Sequence, residues 1–369
     1  MPAPTEVRRS THVRRGVQIA ALMSAAVTRS RSQSDDDLNN LLQNTDLSDI
    51  QDLLVRSGAG PLAWSAIRTS RLAKTDSLAG LQDSYRAQVM RAALAEQELE
   101  RLFRAVNEAG ISPILGKGWA VARSYPDTGL RPYGDFDLYV APVDYERLRQ
   151  VVTANSLHGF QVDVHNGASY LDDREFAQLI RRSVAVPIGS TQVRVFSAED
   201  QLRLVCLHAL AEGVIRPLWL CDVAFLIQSL PPSFDWTEFR AGDRRHTDWA
   251  FAAIGLMHQV LGVDVSNLPD VGHVRSQPGW LAQTVMRVWG EGPKAKGARL
   301  PIAQFRGTGR GFGRALIARW PNPIEATIGV KGGINAMPRL PYQLADCVRR
   351  MGNGNIGSLL KQFTRGRRQ

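Results

Sequence analysis

The sequence predicts an α+β fold in which a small mixed β-sheet is flanked by N-terminal and C-terminal helical regions. Three observations predict it. Apolar residues recur at helical spacing from Leu38 to Val106, two-residue alternation broken by glycine turns takes over between Ile111 and Phe196, and helical spacing returns from Ser197 onwards. The 369 residues, 44% of them hydrophobic, can bury a sizeable core. They divide into a basic flexible tail (1–34), an N-terminal helical region (35–110), a core (111–197), a helical region (198–290) and a basic Gly/Pro/Arg-rich C-terminal region (291–369).

Residues 1–34 carry Arg8-Arg9 and Arg14-Arg15 ahead of an apolar run from Val17 to Val27. That order imitates an export signal, but no small-x-small cleavage site follows, so the stretch reads as a mobile tail or a loose helix. Asp35-Asp36-Asp37 leads into Leu38, Leu41 and Leu42, and Ser48 into Ile50, Leu53 and Leu54, as short amphipathic helices stopped by Gly58 to Pro61. Leu62 to Ile67 starts another. From Leu78 to Ala109 the chain reads as one long helix or two, with Leu99, Leu102, Phe103 and Val106 on one face and Gly110 just past its end.

The stretch from Ile111 to Val140 organises the rest. A short apolar strand, Ile111 to Leu115, breaks into Gly116-Lys117-Gly118 and a helix start at Trp119. Glycines let backbone N–H groups approach a phosphate, a helix N-terminus favours an anion, and Lys117 adds a full positive charge. Asp135-Phe136-Asp137-Leu138-Tyr139-Val140 then alternates as a strand, which puts Asp135 and Asp137 on the same side, about 7 Å apart. Two carboxylates beside a phosphate-binding turn suit Mg²⁺, which takes one or two carboxylates plus substrate phosphates. Metal-assisted transfer at a nucleoside triphosphate is the chemistry they point to.

The order Gly-x-Gly, helix, then D-x-D on the next strand resembles the DNA polymerase beta-like nucleotidyltransferase superfamily. More narrowly, Leu115-Gly116-Lys117-Gly118, Tyr125-Pro126-Asp127, Leu130-Arg131-Pro132 and Asp135-Phe136-Asp137-Leu138 resemble the core of a bacterial nucleotidyltransferase-like family. The likeness continues in Ala198-Glu199-Asp200, Leu207-His208 and Trp219-Leu220-Cys221-Asp222. The superfamily has Gly-Ser or Gly-Gly at the turn where this chain has Gly118-Trp119, and Lys117 stands to replace the missing hydroxyl. The resemblance implies transfer of a nucleoside monophosphate from an NTP to an acceptor, with pyrophosphate leaving. It implies Asp135 and Asp137 as ligands of Mg²⁺ (or Mn²⁺), and a third carboxylate from a later strand, for which Asp163 is the candidate metal ligand and base. Gly116, Lys117 and Gly118 would hold the phosphates. Arg131 would neutralise phosphate charge or, as the plainer alternative, pair with Asp127.

Phe160 to His165 alternates as a strand, with Asp163 and His165 on one side; His165 is open between base, phosphate donor and satisfied surface histidine. Val184 to Ile188 and Gln192 to Phe196 read as a hairpin around Gly189-Ser190. Ser197 and Asp200 form a capping box; in the apolar helix Leu218 to Leu230, Asp222 needs a partner such as Arg216 or His208. Residues 235–262 continue as two amphipathic helices. Gly307 to Gly313 reads as a flexible loop, since no strand precedes its glycines, and Thr364 to Gln369 as a disordered end.

The net charge of +10 is carried by the two ends: 15 Lys/Arg against 3 Asp/Glu from Gly290 onwards, and 6 against 1 in residues 1–33. Basic ends allow nucleic-acid binding through the C-terminal region. Cys206, Cys221 and Cys347 show no metal spacing and no disulfide framework, which fits a reducing, cytoplasmic setting. No apolar run reaches the roughly 18 residues of a membrane span. The acceptor is open among small molecule, sugar, peptide and protein. A second function class also stands: a nucleic-acid-binding or toxin–antitoxin-type interaction protein on an inactive nucleotidyltransferase fold.

Overall fold

Alternating apolar residues produce five short strands: β1 (Ile114–Gly116), β2 (Asp135–Val140), β3 (Gln161–Asn166), β4 (Val184–Ile188) and β5 (Thr191–Val195). They form one mixed sheet in the order β3-β2-β1-β5-β4. β1 runs antiparallel to β2 and parallel to β5, while β2 and β3 are parallel. β1 starts at Ile114 rather than Ile111; Pro113 just before it has no N–H to give a ladder. The computed structural model of the protein describes residues 4–28, 47–74, 76–293 and 320–353.

One face of the sheet carries Leu115, Phe136, Leu138, Val140, Val193 and Val195, and against it packs a single 30-residue helix, Ala79–Glu108. Its buried stripe contains Leu99, Leu102, Phe103 and Val106, the residues the spacing singled out. Gly110 follows at φ +66, a backbone angle that glycine adopts without strain. The other face carries Ile114 and Tyr139, covered by Leu171, Leu179, Phe196 and Leu204. Along β2 this second face also receives Asp135 and Asp137, so apolar packing ends where the carboxylates begin.

Gly116 sits under tight packing on this second face. A Cβ there would lie 2.8 Å from Tyr139 Cε2 and 2.9 Å from Phe196 Cε2. Both rings are buried and cannot move freely. Gly116→Ala should therefore destabilise the fold by about 1–3 kcal/mol through overpacking, measured by urea unfolding.

The helical region builds a separate core around Ala198–Ala211, Pro217–Gln228, Arg244–Leu261 and Gly279–Glu291. As the capping box foretold, Ser197 accepts from the Asp200 backbone N–H. Trp236–Arg240 and Arg244–Leu261 supply the two helices expected over 235–262. Helices at Leu47–Ser57 and Gly60–Ile67 join this core from the N-terminal side.

Of the two readings of residues 1–34, a mobile tail or a loose helix, the described part is a helix, and it is packed rather than loose. Pro4–Thr28 is one helix, and Ile19, Leu22, Met23, Ala26 and Val27 are buried in the helical core. Gly16 and Gly290 allow close contact with Gly279–Glu291, since a Cβ at Gly16 would fall on the Met286 carbonyl and one at Gly290 on the His12 carbonyl. Leu38, Leu41 and Leu42, Gly307 to Gly313 and Thr364 to Gln369 lie outside the described residues.

In the C-terminal region, Pro323–Gly329 and Leu340–Asn353 are helices. Its described arginines are engaged within the protein: Arg350 with Glu325 and Asp346, Arg349 with Asp346, and Arg339 over the rings of Trp280 and Tyr342. Among the described residues no helix is long and apolar enough to cross a membrane.

Candidate active site

Strand register brings the chemistry together. Gly116 on β1 stands opposite Asp137 on β2, and Asp137 stands opposite Asp163 on β3. Because side chains alternate, Asp135, Asp137, Asp163 and His165 project from the same sheet face, with the Lys117-Gly118 turn at the end of β1 beside them. Lys117, Gly118, Asp135, Asp137, Asp163 and His165 line one cleft of about 1410 Å³ between the sheet and the helical region, whereas Gly116, expected to hold phosphate, is corrected to a packing position against Tyr139 and Phe196.

The turn is strained in a way that serves it. Lys117 holds φ 49 and ψ −141, rare for a residue with a Cβ and costing on the order of 1–3 kcal/mol. Gly118 follows at φ +25, and a Cβ on it would come within 3.2 Å of the Asp135 carbonyl oxygen. The turn is thereby pressed against the start of β2. The helix that follows, Gly118–Ala122, has only five residues, so the anion-attracting charge rests on the Lys117 ammonium and not on a helix dipole.

Asp137 is the buried centre. Lys117 Nζ lies 2.6 Å from its Oδ1, and His165 Nε2 bonds the same oxygen at 2.7 Å. Burial pushes the Asp137 carboxyl up, but the hydrogen bond from His165 and the charge of Lys117 win and hold it below the usual carboxylate range. His165 is itself stacked on Tyr139, ring centroids 4.5 Å apart. The surface-histidine alternative for His165 is therefore corrected to a half-buried partner of Asp137.

Asp135 opens onto the cleft, yet the walls around it still strip away part of its hydration. That desolvation, followed by the negative charges of Asp137 and Asp163, raises its pKa against the opposing pull of Lys117 and Arg131. Asp163 is exposed to the cleft, and neither Asp135 nor Asp163 has a hydrogen bond or ion pair among the described residues. Three carboxylates thus face one opening with one lysine between them.

Arg131 has a partner other than either one expected. Its Nε and Nη2 donate to the two oxygens of Asp222, at 2.8 and 2.7 Å, and Tyr125 donates to Asp222 Oδ1 at 2.7 Å. Burial disfavours the Arg131 charge, but Asp222 more than restores it and raises its pKa. Asp127 instead accepts from the Gly129 N–H and from Tyr85. Arg131 lines the cleft, but its fork is already filled by a carboxylate; the Asp222 partners suggested by sequence, Arg216 and His208, are corrected to Arg131 and Tyr125.

Sequence reasoning did not place the helical wall. Tyr170, His208, Glu212, Arg216 and Trp219 face the sheet carboxylates across the opening, and Arg287, Glu291 and Trp320 extend the rim. His208 and Glu212, Arg216 and Trp219, and Arg287 and Glu291 are neighbours at helical spacing, but the convergence of these pairs on Tyr170, Trp320 and the sheet is long-range and has no short-range signal.

Among the described residues, the group whose metal-ligand atoms all lie within 4.8 Å of one another is Asp172, Asp173 and His246, not the carboxylates of β2 and β3. Asp173 is already engaged there: it accepts from the buried Arg203 at 2.5 Å and from the Asp243 backbone at 2.7 Å. Burial would raise its pKa, but His246, the Asp243 N–H and Arg203 hold it at about 2. Its charge balances an arginine, which makes this group a structural ion pair.

No curated protein and no solved structure matches the chain. A family described as "Uncharacterised nucleotidyltransferase" matches residues 43–262, more than half of the sequence, and covers the whole sheet, the Lys117 turn and the first helices of the opposite wall. With the glycine-lysine turn and the D-x-D strand inside that match, this chain belongs to the uncharacterised nucleotidyltransferase family.

Proposed function

We propose that the cleft binds a nucleoside triphosphate and transfers its nucleoside monophosphate to an acceptor, releasing pyrophosphate. The observation that supports this reading is the register Gly116–Asp137–Asp163 across three neighbouring strands, which gathers a phosphate-sized turn, a lysine and three carboxylates at one opening. Family membership supports nucleotidyl transfer in general.

The donor set fits a hard divalent cation, Mg²⁺ or Mn²⁺. Asp135 and Asp163 offer oxygens that no described group uses, and desolvation first and then the charges of Asp137 and Asp163 raise the pKa of Asp135, a cost that a bound cation would offset. Asp135 and Asp137 would hold the ion, with Asp163 completing the set; one or two carboxylates suffice where phosphates supply the remaining oxygens. Bound there, the cation would neutralise charge on the phosphates and on the leaving pyrophosphate.

The chain's own residues do the rest. Gly118 keeps the turn open to phosphate oxygens, Gly116 lets β1 pass beneath Tyr139 and Phe196 into the turn, and Lys117 exchanges its contact with Asp137 for the β- and γ-phosphates. His165 keeps Asp137 ionised and oriented. Arg131, filled by Asp222, fixes the loop ahead of β2 and contributes to the phosphates only through its screened charge.

Mg²⁺ together with a non-hydrolysable nucleoside triphosphate should raise the Tm of the native protein, because a ligand of the folded state stabilises it by mass action. The rise should be lost in Lys117→Ala. An unchanged Tm at millimolar nucleotide, or a rise of equal size in the variant, would contradict the assignment.

A further inference from the structure

His208 sits on the helix Ala198–Ala211 and lines the cleft on the wall that faces the carboxylates. Its ring is held edge-on by Tyr170 and Trp219, with centroid separations of 5.7 and 5.2 Å and interplanar angles of 70° and 75°. Nδ1 is buried without a hydrogen-bond partner, and Nε2, which is not sealed in the same way, also has none among the described residues. An imidazole with unmet bonding capacity is a costly way to fill space between two aromatic rings; leucine or phenylalanine would do so without an orphaned polar atom. The two rings hold the imidazole in a fixed orientation at the cleft wall.

We propose that His208 is the general base of the transfer and that the acceptor attacks through a hydroxyl group. This rests on the nucleotidyl-transfer reading of the cleft. The carboxylates of β2 and β3 lie on the sheet face among the atoms assigned to cation and phosphates, whereas His208 stands on the opposite wall, the side that this assignment leaves for the acceptor. An acceptor that attacks through a carboxylate or phosphate already carries its free electron pair at neutral pH. An alcohol must lose a proton, and a neutral imidazole beside it supplies the place for that proton.

The surroundings keep the ring neutral. Burial first, and then the positive charge of Lys117, pull its pKa down to about 4, opposed by Glu212, Asp137 and Asp222. The unprotonated form therefore prevails throughout the neutral range, and those same three carboxylates stabilise the imidazolium as it forms. As the hydroxyl oxygen bonds to the α-phosphorus, its proton passes to His208 Nε2. The bond from α-phosphorus to the bridging oxygen breaks, its electron pair leaves with pyrophosphate, and the proton on His208 is afterwards lost to solvent.

The test uses the full-length protein with Mg²⁺ and ATP labelled at the α-phosphate, offering glycerol as an alcohol and hydroxylamine as a nucleophile that needs no prior deprotonation. In His208→Asn the ratio of glycerol to hydroxylamine transfer should fall roughly 100-fold, the lower end of what a positioned base contributes. Imidazole added to His208→Ala should restore part of that ratio. An unchanged ratio in His208→Asn and His208→Gln would overturn the base, even if both rates drop together. Native protein that transfers to hydroxylamine but not to glycerol would overturn the hydroxyl acceptor. Transfer to neither, with no Tm rise from Mg²⁺ and a non-hydrolysable triphosphate, would overturn the reading of the cleft itself.

Discussion

Asp137→Asn should lower triphosphate-dependent transfer by at least about 10³-fold, on the order of 4 kcal/mol of lost transition-state stabilisation, while the protein remains folded. Asp137 is where the site's charges meet: Lys117 and His165 both bond its Oδ1, and it stands between Asp135 on its own strand and Asp163 on the next. Asparagine keeps the shape and one accepting oxygen but removes the charge that would hold a cation and that now balances Lys117. Asp135→Ala should be comparably severe for transfer and milder for stability, since Asp135 is exposed and bonded to no described group. The check is pyrophosphate release alongside thermal unfolding of each variant. Full activity in either would remove the carboxylates from the mechanism.

The largest loss of stability should come from Asp222→Ala. Asp222 is almost wholly buried and holds both arms of the Arg131 guanidinium together with the Tyr125 hydroxyl, joining the helix Pro217–Gln228 to the loop ahead of β2. Removing it leaves an arginine with a side chain only 10% exposed and no counter-charge, at a cost of about 3–5 kcal/mol. Arg131→Met with Asp222→Leu should recover much of that loss, because an apolar pair avoids the desolvation that the ion pair must offset. Urea unfolding of the single and double variants measures both. A double variant as unstable as Asp222→Ala would mean that the two residues are not coupled.

Local patterns were legible and long-range ones were not. The helix stripe Leu99, Leu102, Phe103 and Val106 and the β2 alternation each follow from residues within one element, and both occur as read. The position of Asp163 beside Asp137 depended on a resemblance, because parallel pairing of β2 and β3 across an intervening helix has no signature in residue spacing. The N-terminal segment illustrates an ambiguity that only tertiary packing resolves: it read as a mobile tail or a loose helix, and burial of Ile19, Leu22, Met23, Ala26 and Val27 against other helices makes it a packed one. The Arg131–Asp222 pair spans 91 residues. Nearness in sequence favoured Arg216 and His208, whereas tertiary packing decided the partner.

The convergence of the helical wall was illegible for the same reason, since its residues come from the β3 loop, the three helices Ala198–Ala211, Pro217–Gln228 and Gly279–Glu291, and the segment around Trp320. Its chemistry nevertheless differs from that of the sheet face in an interpretable way. The sheet presents carboxylates and a lysine, suited to cation and phosphates. The wall presents aromatic rings, an unpartnered histidine and charges of both signs, suited to an organic acceptor.

Crystals grown with Mn²⁺ and a non-hydrolysable nucleoside triphosphate, with data collected at the manganese absorption edge, test the central claim most directly. The expected anomalous peak lies against Asp135 and Asp137, with phosphate oxygens beside Lys117. A peak only at Asp172, Asp173 and His246, or triphosphate bound away from the Lys117 turn, would contradict it.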